Sequence, residues 1–247
     1  MEFTYLDLID PTISFVPIMA TNWFKYKENH FYSIFTDNEN KKFQIPGYHG
    51  NRCIIEFEMA KRLATIQKKL TPQGLSLRIY DAYRPQQAVN FFTEWTQLPD
   101  TPLAKELHYP RAEKKDFHAL SYLSQTSSHT LGTAVDVTLI HLDKCVHLKD
   151  KNKNFLGLWD PEALDVGNVG YLAFDERSGH SFDELTKEQK ENRKLLYDVM
   201  IDHEFKPLAE EFWHYYFAPH RNKDMFFDFD VRDNYLTIAN LTLDLDS

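Results

Sequence analysis

Cysteine is scarce in this sequence: Cys53 and Cys145 are the only two among 247 residues. Neither sits in a Cys-x-x-Cys pair, and two distant cysteines build no disulfide framework. Both are expected as reduced thiols, and neither as a metal ligand. Long apolar runs are missing too. No uncharged apolar stretch approaches 18 residues, so no helix is expected to span a membrane. The first ten residues place acids where a secretory signal needs bases, and no apolar core follows. That pattern predicts a cytoplasmic protein. Positive charge is in deficit: 28 Lys and Arg stand against 37 Asp and Glu, a net charge of −9. An acidic surface repels phosphate backbones, which makes nucleic acid a poor partner.

What is present is ordinary for a globular chain, with 43% apolar and 26% charged residues, and a 15% aromatic share that predicts a core rich in Phe and Tyr. The length suffices for one large core. No linker-like stretch or internal repeat divides it, so residues 1–247 read as one domain with a peripheral tail over about 233–247. Residues 1–50 read as irregular. Ile55, Met59, Leu63, Ile66 and Leu70 recur at helical spacing and predict a helix over about 54–70. The Thr71-Pro72-Gln73-Gly74 turn ends it. Leu75 to Tyr80 alternates as a strand does. Pro85 opens a second helix in its first turn, with Val89, Phe92 and Trp95 buried. Residues 99–126 read as loop-rich, Thr133 to Ile140 as a strand, and residues 147–182 as a polar surface excursion. Thr186 and Gln189 resemble a capping box that opens a helix to about 203, and Phe212 to Phe217 is a further strand candidate. Strands and helices mix without a βαβ rhythm. This predicts an α+β fold with a mainly antiparallel sheet flanked by helices.

Two segments concentrate ligand chemistry. One runs from Ser127 through His129 and Gly132 to Asp136; the other is Glu211-Phe212-Trp213-His214. Together they offer two imidazoles, one carboxylate and a spare carboxylate. A catalytic zinc takes three such protein ligands and keeps a fourth position for water, although other divalent ions accept the same set. In the strand around Asp136, residues Ala134, Asp136 and Thr138 share one face and Val135, Val137 and Leu139 the other. The apolar set should meet the core and leave Asp136 facing a cleft. Gly132 lets the chain turn just before that strand, so that His129 can fold back toward the same face. Glu211 and His214 are three apart, which suits a helical turn and not a regular strand. The strand is therefore expected to begin near Trp213, with Glu211 on an irregular lead-in. Taken without these motifs, Arg84 reads as an ion-pair partner of Asp81 or Glu94. Glu211 beside Glu210 reads as a solvated acidic face, Trp213 as a packing wall, and the other histidines as hydrogen-bonded structural groups.

The Ser-x-His-x-x-Gly-x-Ala-x-Asp and Glu-x-Trp-His segments resemble those of the zinc D-alanyl-D-alanine dipeptidases. They are shared with the wider D,D- and L,D-carboxypeptidases and the hedgehog zinc fold. Narrower matches resemble the dipeptidase branch: Asp81-Ala82-Tyr83-Arg84-Pro85, the opening Phe3 to Asp7, Lys25-Tyr26, Tyr109-Pro110, Asp175 to Ser178 and Phe227-Asp228-Phe229. The resemblance runs from about residue 3 to 231. It implies a hedgehog/DD-peptidase-like fold and one catalytic Zn²⁺ held by His129, Asp136 and His214. It further implies Glu211 as general base and then acid, Arg84 as oxyanion stabiliser, and Ser127 and Tyr26 as groups that position a small peptide substrate. It implies D-Ala-D-Ala hydrolysis serving cell-wall dipeptide turnover or glycopeptide tolerance. Two alternatives stand beside that reading: a carboxypeptidase for longer murein peptides, and a non-catalytic zinc-stabilised binding module. In one place the chain departs from the branch, which carries an acid for the substrate's amino group near the position of Tyr171. Asp165 and Asp175 flank that position out of register.

Overall fold

The alternating segments around Leu77 and Val137 form the centre of the fold. The computed structural model describes residues 1–22, 24–27, 30–37, 41–144, 160, 162–167, 171–217, 219 and 226–233, and of residues 24–27, 30–32 and 144 the backbone alone. Among these, the strands are β1 (Phe3–Tyr5), β2 (Ser14–Phe15), β3 (Phe24–Lys27), β4 (His30–Tyr32), β5 (Ile54–Glu56), β6 (Leu75–Asp81), β7 (Ala134–His141), β8 (Phe205–Leu208) and β9 (Glu211–Phe217). The α-helices are α1 (Leu6–Ile9), α2 (Ile18–Thr21), α3 (Phe57–Leu70), α4 (Gln86–Trp95), α5 (Pro102–His108) and α6 (Lys187–Ile201). Five strands form one sheet in the order β2-β6-β7-β9-β8. The β2–β6 pair is parallel and the other pairs are antiparallel. The expected α+β architecture with a mainly antiparallel sheet is the one found.

Register explains which face is core. Leu77 lies opposite Leu139 and Ile79 opposite Val137, and Val135 lies opposite Tyr215. All six are buried and belong to one apolar cluster that runs from Phe3 to Val231. Each such side chain contributes roughly 1.5–3 kcal/mol on burial. Helix α3 packs against β6 through a stripe of Met59, Leu63, Ile66 and Leu70. The Glu56 carboxylate caps its start by accepting the Met59 N–H at 2.8 Å, satisfying an otherwise orphaned donor. Helix α6 opens with the capping box foreseen from Thr186 and Gln189. Its buried Arg193 donates to the carbonyls of Val166, Arg177 and Gly179, fastening that irregular stretch to the helix.

The same alternation gives the opposite face of β6 and β7 to Arg78, Tyr80, Asp136 and Thr138. Arg78 is fully buried and forks between Asp160 and Glu162, both at 2.5 Å. An aromatic cluster gathers around Phe3. The Phe3 ring meets Tyr83, Phe227 and Phe229 edge-on at 5.0–5.5 Å, and Tyr83 stacks on Phe229 at 4.2 Å. Two segments distant in sequence thus brace the turn that leads into Arg84.

The structure corrects several local expectations. Residues 1–50 contain short strands, because β1 pairs with β5 and β2 with β6. Pairing with β1 also takes Ile54–Glu56 out of the predicted helix, which begins at Phe57. Pro85 is the residue before α4 rather than in its first turn. The loop-rich stretch holds α5, and α6 ends at Ile201 rather than about 203. Cys53 is a buried free thiol. Cys145, residues 147–159, 161 and 168–170 of the expected surface excursion, and tail residues 234–247 lie outside the described residues, while Tyr171, Leu172, Ala173 and Phe174 of that stretch are buried rather than on the surface. No helix among the described residues is long and apolar enough to cross a membrane.

Candidate metal centre

Asp136 on β7 lies directly opposite His214 on β9, so pairing of the two strands alone brings their side chains together. His129 arrives from the preceding turn. Gly132 has φ +69°, and a Cβ there would stand 2.2 Å from the Phe3 ring. The φ favours glycine, and the clash requires it. The turn closes through Gly132 N–H donating to His129 C=O at 2.8 Å, and Ser127 Oγ accepts the His129 N–H at 3.2 Å. His129 Nε2 then lies 3.1 Å from His214 Nδ1 and 3.3 Å from Asp136 Oδ1, while His214 Nδ1 is 3.1 Å from Asp136 Oδ1.

The donor set fits a zinc ion. Ligand atoms about 2.0–2.1 Å from a tetrahedral centre are roughly 3.3–3.4 Å apart, close to the spacings found. His129 Nδ1 donates to the Ala82 carbonyl at 2.7 Å, which fixes the tautomer and turns the Nε2 lone pair inward. His214 presents Nδ1 to the centre, and its Nε2 lies 3.4 Å from Ser128 Oγ. Ser128 was not among the expected residues. Its only signal is its place beside His129, and that becomes meaningful once β9 is paired to β7.

Behind the ligands lies a polar chain. Asp136 Oδ2 accepts from Tyr171 O–H at 2.9 Å and from Arg84 Nη2 at 3.5 Å. Arg84 Nε donates to Asp81 Oδ2 at 2.9 Å, and Tyr48 O–H donates to Asp81 Oδ1 at 3.0 Å. A register shift between Ile79 and Asp81 sets Asp81 opposite Asp136, the way a bulge re-aims a side chain. Two carboxylates so placed repel, and the guanidinium between them offsets this. Burial raises the Asp81 pKa, with Arg84 opposing. Burial would raise Asp136 as well, but the charge and hydrogen bonds of two imidazoles outweigh it and hold the group below the usual carboxylate range. The guanidinium, although buried, is held firmly protonated, chiefly by Asp81. Asp81 rather than Glu94 therefore takes the ion-pair role foreseen for Arg84.

Glu211 corrects two expectations. It is 8% exposed, so it is not a solvated acidic face. It also belongs to β9, which starts there rather than near Trp213. The irregularity lies in the pairing: Pro207 faces Tyr215, but the next residue, Leu208, faces Glu211. Three residues of β9 are skipped, which is how a pair three apart reaches one site. Glu211 Oε2 is 3.8 Å from His214 Nδ1. Burial pushes its carboxyl pKa well up, and Asp136 adds to the effect.

His129, Asp136, His214, Glu211 and Arg84 line a cleft of about 440 Å³, walled by Phe92, Leu123, Leu172, Phe174, Trp213 and Tyr216 among others. Trp213 is the packing wall that the sequence suggested, 2% exposed. Ser127 lies half-buried on the rim. Tyr26 falls on β3, and its side chain lies outside the described residues. Tyr171 stands near the place where the resemblance implies an acid, and the two neighbouring acids are engaged elsewhere. Asp165 is exposed and accepts from Gly167 N–H and Gln189 Nε2. Asp175 is buried and caps the turn at Arg177, where it also pairs with the guanidinium.

Comparison with known proteins gives a consistent picture. A family model described as D-ala-D-ala dipeptidase, Peptidase_M15, matches residues 26–155. That span includes Arg84, His129 and Asp136, while Glu211 and His214 lie beyond it. A D-alanyl-D-alanine dipeptidase of Enterococcus faecium is 30% identical over 188 residues, covering 76% of this chain and 85% of that protein. One from Streptomyces coelicolor is 28% identical over 187 residues, covering 76% and 84%. One from Escherichia coli K12 is 28% identical over 168 residues, covering 68% of each. A solved zinc-bound D,D-pentapeptidase, VanY, aligns at 14% identity with a TM-score of 0.37 over 69% of this chain and 76% of that one, too loosely to carry an argument.

Proposed function

The chain belongs to the D-Ala-D-Ala dipeptidase family of M15 peptidases, zinc metallopeptidases, and from that premise we propose that it hydrolyses D-alanyl-D-alanine or a similarly small D-amino-acid dipeptide. In this reading His129, Asp136 and His214 hold the ion, Glu211 moves the protons, and Arg84 faces the developing charge. The observation that carries it is the triangle of ligand atoms, 3.1–3.3 Å on each side, on the wall of a cleft that also holds Glu211 and Arg84.

When bound, zinc supplies a Lewis acid that polarises the scissile carbonyl and acidifies a coordinated water. The residues do the rest. Glu211, buried and with a raised pKa, accepts a proton from the attacking water and returns it to the leaving amine. Arg84 is held protonated by Asp81 and Asp136, so its charge is in place before negative charge develops on the substrate oxygen. Ser127 Oγ receives the His129 N–H, which leaves its own O–H proton to donate to a substrate carbonyl or carboxylate. Tyr26 is assigned to the same positioning task on the resemblance alone.

A second reading, cleavage of longer murein peptides, draws support from the neutral phenol at Tyr171, which offers an ammonium group no charge partner. Glu211 opposes a purely structural zinc module, since such a site needs no base. The proposal extends to a single peptidase domain, in keeping with the one apolar cluster from Phe3 to Val231, and to a cytoplasmic role in cell-wall dipeptide turnover. The test is a metal assay joined to a substrate panel of D-Ala-D-Ala, its N-acylated form, L-Ala-L-Ala and a murein tripeptide. Stoichiometric zinc and turnover confined to the free D,D-dipeptide are expected. Preference for the acylated form or the tripeptide would transfer the assignment to the second reading. His214→Ala should lose zinc, and retention of a full equivalent removes His214 from the ligand set.

A further inference from the structure

We propose that Tyr171 is a positioning residue that makes Asp136 a one-oxygen metal ligand. The inference rests on the zinc reading above and deepens it.

The two oxygens of Asp136 have different neighbours. Oδ1 faces both imidazoles, at 3.1 Å and 3.3 Å. Oδ2 points away from them and accepts the Tyr171 O–H at 2.9 Å, with Arg84 Nη2 at 3.5 Å. A carboxylate with both oxygens free can rotate and offer either or both to a cation. Here one oxygen is already committed to protein donors. The phenol O–H is the donor in that contact, since a carboxylate oxygen can only accept.

The phenol is itself firmly placed. Its ring stacks on Tyr80 at 5.0 Å and 17° and meets Trp213 edge-on at 6.0 Å. The next residue, Leu172, sits at φ +64°, a left-handed conformation that leucine disfavours. The buried His108 ring bonds to the Leu172 carbonyl at 2.9 Å through Nδ1, and Ser178 Oγ donates to the Ala173 carbonyl at 2.6 Å. A disfavoured backbone held by buried hydrogen bonds, one residue from a side chain aimed at a metal ligand, is the kind of strain that gathers at functional sites. The consequence is chemical. With Oδ2 occupied, Asp136 would offer a bound ion one donor atom and leave it a position for water and substrate.

Tyr171→Phe tests this, because it keeps the ring and its stacking and removes only the O–H. Two measurements are made beside turnover: zinc affinity by competition with a chromophoric chelator, and the visible absorption of the Co²⁺-substituted protein. Affinity is expected to fall on the order of tenfold to a hundredfold, as for other partners of metal ligands. The cobalt bands should weaken and shift, because a freed carboxylate raises the coordination number. kcat should fall with KM little changed. The spectrum decides. A Co²⁺ spectrum superimposable on that of the wild type overturns the inference even if affinity drops, since that pattern marks a packing role. A wild-type protein that binds neither ion removes the zinc reading as well, a failure distinct from the first.

Discussion

Replacing Glu211 with glutamine isolates the proposed proton carrier with little change of shape. The side chain is 8% exposed and lies 3.8 Å from His214 Nδ1, and the amide fills the same volume. No ligand atom is lost, so zinc content should stay at one equivalent. A positioned general base or acid contributes about 10²–10⁴-fold, or roughly 3–5 kcal/mol of barrier, and Glu211 serves in both directions. Turnover of D-Ala-D-Ala is therefore expected to drop by about that factor in steady-state assays on zinc-quantified protein. The same substitution should stabilise the metal-free protein. Burial raises the Glu211 pKa above its reference value of 4.5, so above that pH the unfolded chain releases a proton that the folded one retains. The wild type accordingly loses stability relative to the variant as pH rises from 4.5 toward the folded pKa, at about 1.4 kcal/mol per pH unit. The apo melting temperature of Glu211→Gln should exceed that of the wild type at pH 8 and match it near pH 4. Activity within tenfold of wild type at full zinc occupancy refutes the assignment, and a lower apo melting temperature at pH 8 refutes the electrostatic reasoning.

Arg84→Ala should lower kcat on the order of a hundredfold or more, because the charge it meets arises in the transition state; an effect confined to KM would make it a ground-state anchor. Asp160→Asn leaves the fully buried Arg78 with a neutral partner in place of one of its two acids. The cost should approach the roughly 3–5 kcal/mol of a broken buried ion pair, which denaturant titration would detect as a lowered midpoint at unchanged slope. Acid should weaken the fold through His108, whose pKa burial lowers from 6.5 to about 4. Between those values the unfolded chain takes up a proton that the folded one refuses, so about 3 kcal/mol is lost as pH falls across that window. His108→Gln should flatten the profile there, and an unchanged slope would show that the ring titrates freely in the fold.

The sequence alone determined a good part of this. Alternation from Thr133 to Ile140 placed Val135 and Val137 in the core and Asp136 on the cleft side, because a strand has only two faces. Gly132 was legible as a turn residue because glycine is the residue a tight turn favours, and the structure adds an approach to Phe3 that leaves no room for a Cβ. The capping box at Thr186 and the stripe along α3 were legible because they depend on neighbours three or four residues away. Tertiary structure decided what depends on distant pairing. Residues 1–50 carry strands because β1 and β2 find β5 and β6, and no local periodicity announces a strand of two or three residues. Glu211 reaches the site through skipped residues in the β8–β9 register, an irregularity set by the partner strand and not by the local sequence. Tyr171, Ser128 and Tyr48 matter for the atom each one touches, and those atoms lie 35, 86 and 33 residues away along the chain. Periodicity reports which face a side chain shares with its near neighbours, whereas a contact across such a separation is fixed only when the sheet closes.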